Sequence, residues 1–183
     1  MKTNRLSKSI EAALNAQMTK EAYASQIYLA QAAWATAEGY GGVGNFLFRH
    51  AHEERNHMMK FLEYILNRGG KVTVMAIPAP DKNPSNLQDC FNKVFEQEVD
   101  NTASIYKIVK MSLEQEDWAT WNFMQWFVKE QVEEETLSLN LLDKIKIAGG
   151  EKATDEALQE LNKELKNMAD EAPEAREATT ENP

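Results

Sequence analysis

The sequence of 183 residues predicts an all-α protein, a four-helix bundle with one long crossover and a short fifth helix at its C-terminal end. In four long segments, apolar residues recur at alternating spacings of four and three, as on helix faces that meet a neighbouring helix. A proline-containing stretch separates the second segment from the third, whereas short turns join the first to the second and the third to the fourth. This pattern is typical of a bundle with one crossover.

The helices are expected at about residues 6–36, 45–68, 85–113, 118–147 and 154–166. We predict one domain over residues 1–168 and a disordered acidic tail over 169–183. The inward faces of the first and third helices are predicted to consist of Ile10, Leu14, Gln17, Glu21, Ala24 and Tyr28, and of Leu87, Phe91, Val94, Glu98, Asn101, Ile105 and Ile108.

The connections follow from glycine, proline and capping residues. Gly39, Gly41, Gly42 and Gly44 predict a turn that lets the second helix fold back, and Ser85 with Gln88 predicts a capping box that opens the third. Residues 69–84 are predicted to be extended and long enough to traverse the bundle, so that helices two and three run parallel. The apolar stripe of the fifth helix is expected to be buried against a neighbouring subunit.

Composition excludes several classes of function. A net charge of −9 without any basic run argues against binding to a nucleic-acid backbone. A single cysteine, Cys90, excludes an intrachain disulfide framework and a metal centre of four cysteines from one chain, and we expect it to be buried. Since there is neither a signal-peptide pattern nor an apolar stretch long enough to span a membrane, we expect a cytoplasmic protein that does not bind membranes.

Each long helix places a carboxylate in its apolar face, namely Glu21, Glu54, Glu98 and Glu134. A lone Glu-x-x-His such as Glu54–His57 is usually a surface pair, and a charge run such as residues 130–135 is usually a solvated face. Four bare carboxylates in one interior, however, would cost several kcal/mol each, and no lysine or arginine falls on the inward faces. Metal coordination resolves this conflict, and oxygen ligands with one imidazole suit iron, manganese or zinc. Glu54 lies centrally and is predicted to bridge two ions.

Three segments carry a resemblance to a known family: Lys20–Tyr23, His50–His57 and Asn122–Glu135. Residues 1 to about 168 resemble the bacterial non-haem ferritins in these motifs and in helix order. The resemblance implies iron storage with ferroxidase activity, in which O2 or H2O2 oxidises Fe(II) and Fe(III) mineral forms inside a homo-oligomeric cage of 24 subunits. No haem is implied, because Arg55 stands where the bacterioferritins have a haem-ligating methionine. The fourth helix departs from the symmetric di-iron bundles, since Leu137 replaces a second histidine three residues after Glu134.

The resemblance also assigns roles to individual residues. It implies a first iron site of Glu21, Glu54 and His57, a second of Glu54, Glu98 and Glu134 with Gln131 close by, and a third position of Glu53, Glu130, Glu133 and Glu134. Tyr28 would lie beside the centre, either as a redox group or as a core aromatic anchored by its hydroxyl. His50 and His52 are interpreted as structural or solvated.

Two other functions stay open. The chain could form a storage shell without fast ferroxidase chemistry, or a bundle that uses its acids to bind a partner.

Overall fold

The computed structural model describes residues 3–168, so the tail predicted for 169–183 lies outside the described residues. The chain is all-helical: α1 (Lys8–Ala37), α2 (Gly41–Asn67), α3 (Leu87–Glu114), α4 (Trp118–Ile147) and α5 (Asp155–Asn167), with a short 3-10 turn at Gly150–Lys152 before α5. The first four helices form the bundle and α5 packs across one end. No helix within 3–168 combines the length and the apolar character needed to cross a membrane.

Contacts between the helices establish the topology. On α1 the residue numbers fall from Tyr28 to Gln17, while their hydrogen-bond partners on α3 rise from Glu98 to Asn101. α1 is therefore antiparallel to α3, as it is to α2 across the short turn between them. Helices α2 and α3 consequently run parallel, and the long crossover is confirmed.

The crossover is extended and no residue of 3–168 forms a strand. Asn15 of α1 holds its beginning, donating from Nδ2 to the Lys71 carbonyl at 3.0 Å and accepting the Thr73 N–H at 2.7 Å. Glu11 accepts the Lys71 N–H at 2.9 Å. Side chains of α1 thus take the place of a partner strand for the first residues of the crossover.

The predicted inward faces of α1 and α3 are confirmed, because every residue named for them is buried. On α4 the sequence predicts an inward row of Phe123, Phe127, Glu130, Glu134, Leu137, Leu141 and Ile145. Five of these are buried, whereas Phe123 and Glu130 are half-buried and their neighbours Met124 and Gln131 are buried instead. On α2 the predicted inward row of Leu47, Ala51, Glu54, Met58, Phe61 and Ile65 is buried except for Met58, which is half-buried next to the buried His57. A strict alternation of fours and threes drifts by about 20° per seven residues from a straight helix, so it leaves the true inward face along a long helix.

The residues that begin α2 and α3 have different roles from those that the sequence predicts. Helix α2 begins at Gly41, so Gly41, Gly42 and Gly44 lie inside it and only Gly39, with φ +89°, has the left-handed turn conformation. Gly44 is needed for close packing, since a Cβ there would lie 2.2 Å from Thr36 Oγ1 of α1.

The capping box predicted at Ser85 was also wrong. Asn86 is the N-cap of α3 and its Oδ1 accepts the Asp89 N–H at 2.8 Å. The Asp89 carboxylate in turn accepts the Ser85 N–H at 2.8 Å, whereas Gln88 has no part in the cap. Asparagine and aspartate each provide a well-placed acceptor oxygen, so they cap the helix one residue later than the predicted Ser85.

The apolar stripe of α5 is buried within its own subunit, which corrects the prediction that a neighbour covers it. Leu161 and Leu165 are 6% and 0% exposed and belong to the core cluster that includes Val43 of α2. The same contact caps α2, because Asn162 Oδ1 accepts the N–H groups of Gly42 and Val43 at 2.7 and 3.1 Å. Helix α5 therefore completes the end of the bundle.

Two apolar clusters fill the bundle. One surrounds Phe46 and Phe91 near α5, and the other surrounds Phe61 and Phe127 at the opposite end. Cys90 is fully buried in the first cluster, as predicted, and burial raises the pKa of its thiol to about 12. Between the clusters lies a layer of buried polar side chains.

Candidate metal centre

The polar layer brings together the four carboxylates that the sequence placed on inward faces. Glu21 and Glu98 are fully buried, and Glu54 and Glu134 are 2% and 6% exposed. No lysine or arginine is buried anywhere in residues 3–168, so the layer has no buried permanent cation. Acids in such surroundings require protons, hydrogen bonds or a bound cation.

Glu21, Glu54 and His57 form the most deeply buried group with metal-ligand geometry. Each offers one ligand atom, and these atoms lie within 4.8 Å of one another. His57 Nδ1 lies 3.6 Å from Glu54 Oε2, beyond hydrogen-bond distance. Glu54 Oε2 and His57 Nε2 have no hydrogen-bond partner among the described residues, although both are buried. Two orphaned ligand atoms, one from a carboxylate and one from an imidazole, beside a second carboxylate fit a metal ion, because coordination would satisfy them.

Glu98 is held by donors from two other helices. The Tyr28 hydroxyl donates to its Oε1 at 2.6 Å, and Gln131 Nε2 donates to its Oε2 at 3.2 Å. Tyr28 and Gln131 thus lie in the layer where the sequence predicted them. Gln131 contacts Glu98 through its N–H, so in this arrangement it is a hydrogen-bond donor to a carboxylate.

A chain of buried amides connects the two halves of the layer. Gln17 Nε2 donates to Glu21 Oε1 at 2.6 Å and to Asn101 Oδ1 at 2.5 Å. Asn101 Nδ2 donates to Glu21 Oε2 and to Gln131 Oε1, each at 3.3 Å. Sequence reasoning placed Gln17 and Asn101 on inward faces but gave them no role. The available signal was their spacing, four residues from Glu21 and three from Glu98, each on the same helix face as the acid.

A second group surrounds Glu134. His50 Nδ1 lies 3.5 Å from Glu53 Oε2 and 3.6 Å from Glu134 Oε2, and the three residues form another set with metal-ligand geometry. The sequence predicts His50 to be structural or solvated, and in the structure it is buried, with 8% of its surface exposed. The missed signal is its spacing of three from Glu53, equal to that between Glu54 and His57. His52 is exposed, as expected.

The remaining predicted ligands lie at the edge of the layer. Glu130 Oε1 is 3.7 Å from His57 Nε2, and Glu53, His57 and Glu130 form a third set with metal-ligand geometry. Glu133 is not brought to any of the three sets. It is exposed and its carboxylate lies 3.3 Å from Lys129 Nζ.

The electrostatics follow from burial and from crowding of like charges. Burial, and then neighbouring carboxylates, raise the pKa of Glu54 and of Glu134 well above the usual range, and burial also raises the pKa of Glu98. Burial alone would lower the pKa of His57, but the facing acids Glu130 and Glu54 raise it well above its usual value. The layer therefore tends to retain protons, which a cation would replace.

Tyr28 and His50 are affected differently. Burial and the nearby acids, Glu98 foremost, raise the pKa of Tyr28, which keeps its hydroxyl protonated as a donor. Burial lowers the pKa of His50 to about 3, so its imidazole is neutral at pH 7. A neutral imidazole has the lone pair that a metal ligand needs.

Fold and site together have the features of the four-helix bundles that hold metal ions by inward-pointing carboxylates. Residues 11–148 match the model of the ferritin family, described as a ferritin-like domain. The bacterial non-heme ferritin of Campylobacter jejuni is 40% identical over 144 residues, which cover 79% of this chain and 86% of that protein. The bacterial non-heme ferritin of an Escherichia coli strain is 33% identical over 155 residues, covering 85% and 92%.

Solved structures agree with these matches. The open-pore ferritin of Archaeoglobus fulgidus superposes with a TM-score of 0.85 at 35% identity, covering 90% of this chain and 98% of that one. The chain therefore belongs to the ferritin family of iron-storage proteins, and the resemblance found in its sequence is confirmed.

Proposed function

We propose that this protein stores iron by oxidising Fe(II) at a paired site within each subunit and depositing Fe(III) as mineral inside a hollow cage. The observation that carries the proposal is the buried set of Glu21, Glu54 and His57, with its two orphaned ligand atoms. Glu98 and Glu134 lie in the same layer and supply carboxylates for a second ion, with Glu54 shared between the two. No haem takes part.

The paired arrangement suits the electron balance of the reaction. Two Fe(II) ions release one electron each, and O2 takes up both electrons with two protons to give H2O2. When H2O2 is the oxidant, two electrons and two protons convert it to two water molecules. Anionic ligands stabilise Fe(III) more than Fe(II), so the carboxylate layer favours the oxidised product.

The residues around the ligands have separate tasks. Tyr28 and Gln131 orient Glu98 by donating to its two oxygens, and the amides of Gln17 and Asn101 orient Glu21. The two apolar clusters exclude water from both ends of the layer. Electrons pass from iron to the oxidant within this enclosed space, and Fe(III) then leaves towards the mineral.

We also propose that subunits assemble as a homo-oligomeric cage of 24 and that the protein acts in the cytoplasm. Support for the cage comes from the ferritin neighbours, whose chains this one covers almost completely. Exposed apolar side chains on the crossover, Val74 and Met75, agree with burial between subunits.

The proposal is tested by measuring the initial rate of Fe(III) formation in the Glu54→Ala variant, by absorbance after rapid mixing with Fe(II). Losing even an outer partner of a metal ligand typically costs 10- to 100-fold, so losing a shared ligand should reduce the initial rate by about 100-fold or more. Glu63→Ala is the matched control, because Glu63 is an exposed acid on the same helix. Wild-type rates in the Glu54 variant would refute the paired site.

A further inference from the structure

A half-buried carboxylate lies beside the polar layer without being one of its ligands. Glu135 of α4 directly follows Glu134, and its Oε1 accepts the hydroxyl proton of Thr102 at 2.5 Å. Thr102 belongs to α3 and is 8% exposed. Neither Glu135 nor Thr102 belongs to the three sets with metal-ligand geometry in residues 3–168. Any part that they have in the site is therefore exerted through a neighbouring side chain.

That neighbour is Gln131, whose amide is fastened to α3. Its Nε2 donates to three acceptors at 3.2 Å, namely the Thr102 hydroxyl oxygen, the Glu98 carboxylate and the Glu98 carbonyl. Thr102 lies one turn after Glu98, on the same face of α3. Thr102 and Gln131 thus meet beside the acid that the proposed function assigns to the second ion.

Hydrogen-bond chemistry leaves the Gln131 amide one orientation. A hydroxyl has a single proton, and Thr102 gives it to Glu135, because an ionised carboxylate can only accept. Thr102 then offers Gln131 only lone pairs, so Gln131 has to present its N–H group on this side. Its carbonyl oxygen faces the other way, where Asn101 Nδ2 donates to it at 3.3 Å. Glu135 and Thr102 together define Gln131 as a donor towards Glu98.

This anchor matters most when an ion is bound. An ion that uses the Glu98 carboxylate competes with Gln131 for its oxygens. The hydroxyl oxygen of Thr102 does not ligate the ion, so it continues to hold the Gln131 N–H group. Partners of this kind, which orient a metal ligand without touching the metal, typically change metal affinity by about 10- to 100-fold.

We propose that Thr102 and Glu135 are positioning residues for the second ion of the pair. They hold Gln131 as an N–H donor, which orients the carboxylate of Glu98 and keeps the Gln131 carbonyl oxygen away from the ion. The existence of a second ion rests on the proposed function.

The effect should be confined to the second ion. Glu21, a ligand of the first ion, is held by the amides of Gln17 and Asn101 instead. Loss of the Thr102 hydroxyl leaves those two hydrogen bonds in place. A change that merely loosened the bundle would weaken both ions together.

The experiment titrates the assembled apo-protein with Co(II) and follows its visible absorbance, with two binding steps expected for the wild type. Thr102→Val has a similar shape but no hydroxyl, and it should weaken the second step by about 10-fold or more while the first stays unchanged. Thr102→Ser keeps the hydroxyl and should retain the second step. The matched control is Thr136→Val on α4, because the exposed Thr136 hydroxyl donates to the Val132 carbonyl at 2.6 Å. This control should leave both steps unchanged.

Variants of Glu135 test the other half of the proposal. Glu135→Leu removes the acceptor for Thr102 and should weaken the second step, whereas Glu135→Gln keeps an acceptor oxygen and should retain it. Unchanged affinity for the second ion in Thr102→Val, or equal weakening of both steps, would overturn the positioning role. A wild type that binds a single Co(II) per subunit would instead refute the paired site of the proposed function.

Discussion

Asn101 offers a sharp test of the amide chain, because it contacts both halves of the polar layer. Replacing it with leucine, which is similar in size, removes the acceptor for Gln17 Nε2 at 2.5 Å and the donor to Glu21 Oε2 at 3.3 Å. It also deprives Gln131 Oε1 of the N–H at 3.3 Å. Gln17 keeps its bond to Glu21, so the uncompensated losses fall on Glu21 and Gln131.

The magnitude follows from these losses. A buried polar group without its partner costs about 1–3 kcal/mol, so two such groups should lower the free energy of unfolding by about 2–6 kcal/mol. For a chain of this size, each kcal/mol moves the melting temperature by about 2–4 °C. We therefore expect apo Asn101→Leu to melt roughly 4–24 °C below the wild type in calorimetry.

Binding of the first metal ion should weaken as well, because Glu21 would no longer be held towards Glu54. A Co(II) titration followed by its visible absorbance should show an affinity reduced by about 10- to 100-fold. Tyr64→Phe is the control: it removes the 2.9 Å hydrogen bond to Thr120 far from the layer, so it should cost stability without changing Co(II) affinity. Equal Co(II) affinities in Asn101→Leu and wild type would refute the positioning role.

Two further predictions concern the protonation of Glu54 and the packing of α5 against the start of α2. Because the folded-state pKa of Glu54 is raised, its contribution to stability is complete below the pKa of the unfolded carboxyl and is lost as pH rises through the folded value. Apo Glu54→Gln should therefore match the stability of the wild type near pH 4 and exceed it at pH 8 in denaturant titrations, and an equal pH dependence of the two proteins would contradict this. Gly42→Ala should detach or displace α5, since a Cβ there would lie 1.8 Å from the Asn162 carbonyl oxygen. The control is Gly41→Ala, because a Cβ at Gly41 would meet no atom within 4 Å. Limited proteolysis should cleave α5 faster in Gly42→Ala than in Gly41→Ala.

The pattern of apolar residues in the sequence was sufficient to predict the bundle and to place three of the buried acids at its centre. Glu21 and Glu98 each stand in a row whose other members are buried, and in the row of Glu54 only Met58 is half-buried, so periodicity alone oriented these acids. Apolar neighbours in the same row identify a buried acid wherever the row predicted from spacings of four and three still follows the inward face of the helix. The same reasoning misplaced Glu130, because the drift of the pattern along α4 moved it to the edge of the layer.

The partner of α5 and the surroundings of His50 were not predicted, because both depend on which helices meet in three dimensions. The stripe of α5 required a partner, and the pattern could not distinguish a neighbouring subunit from the end of its own bundle, where Leu165 is fully buried. His50 looked structural because its acid partner Glu134 lies on another helix, far away along the chain. Tertiary contacts of this kind have no local signal, whereas the spacing of His50 from Glu53 was a local signal that was not used.

The most direct test of a paired iron site is anomalous diffraction at the iron edge from crystals loaded with Fe(II) without oxygen. We expect two iron peaks in each subunit, one on each side of Glu54 and about 3.5–4 Å apart. One peak should lie beside Glu21 and His57, and the other beside Glu98 and Glu134. A single isolated ion, or iron bound only outside the polar layer while the layer stays empty, would contradict it.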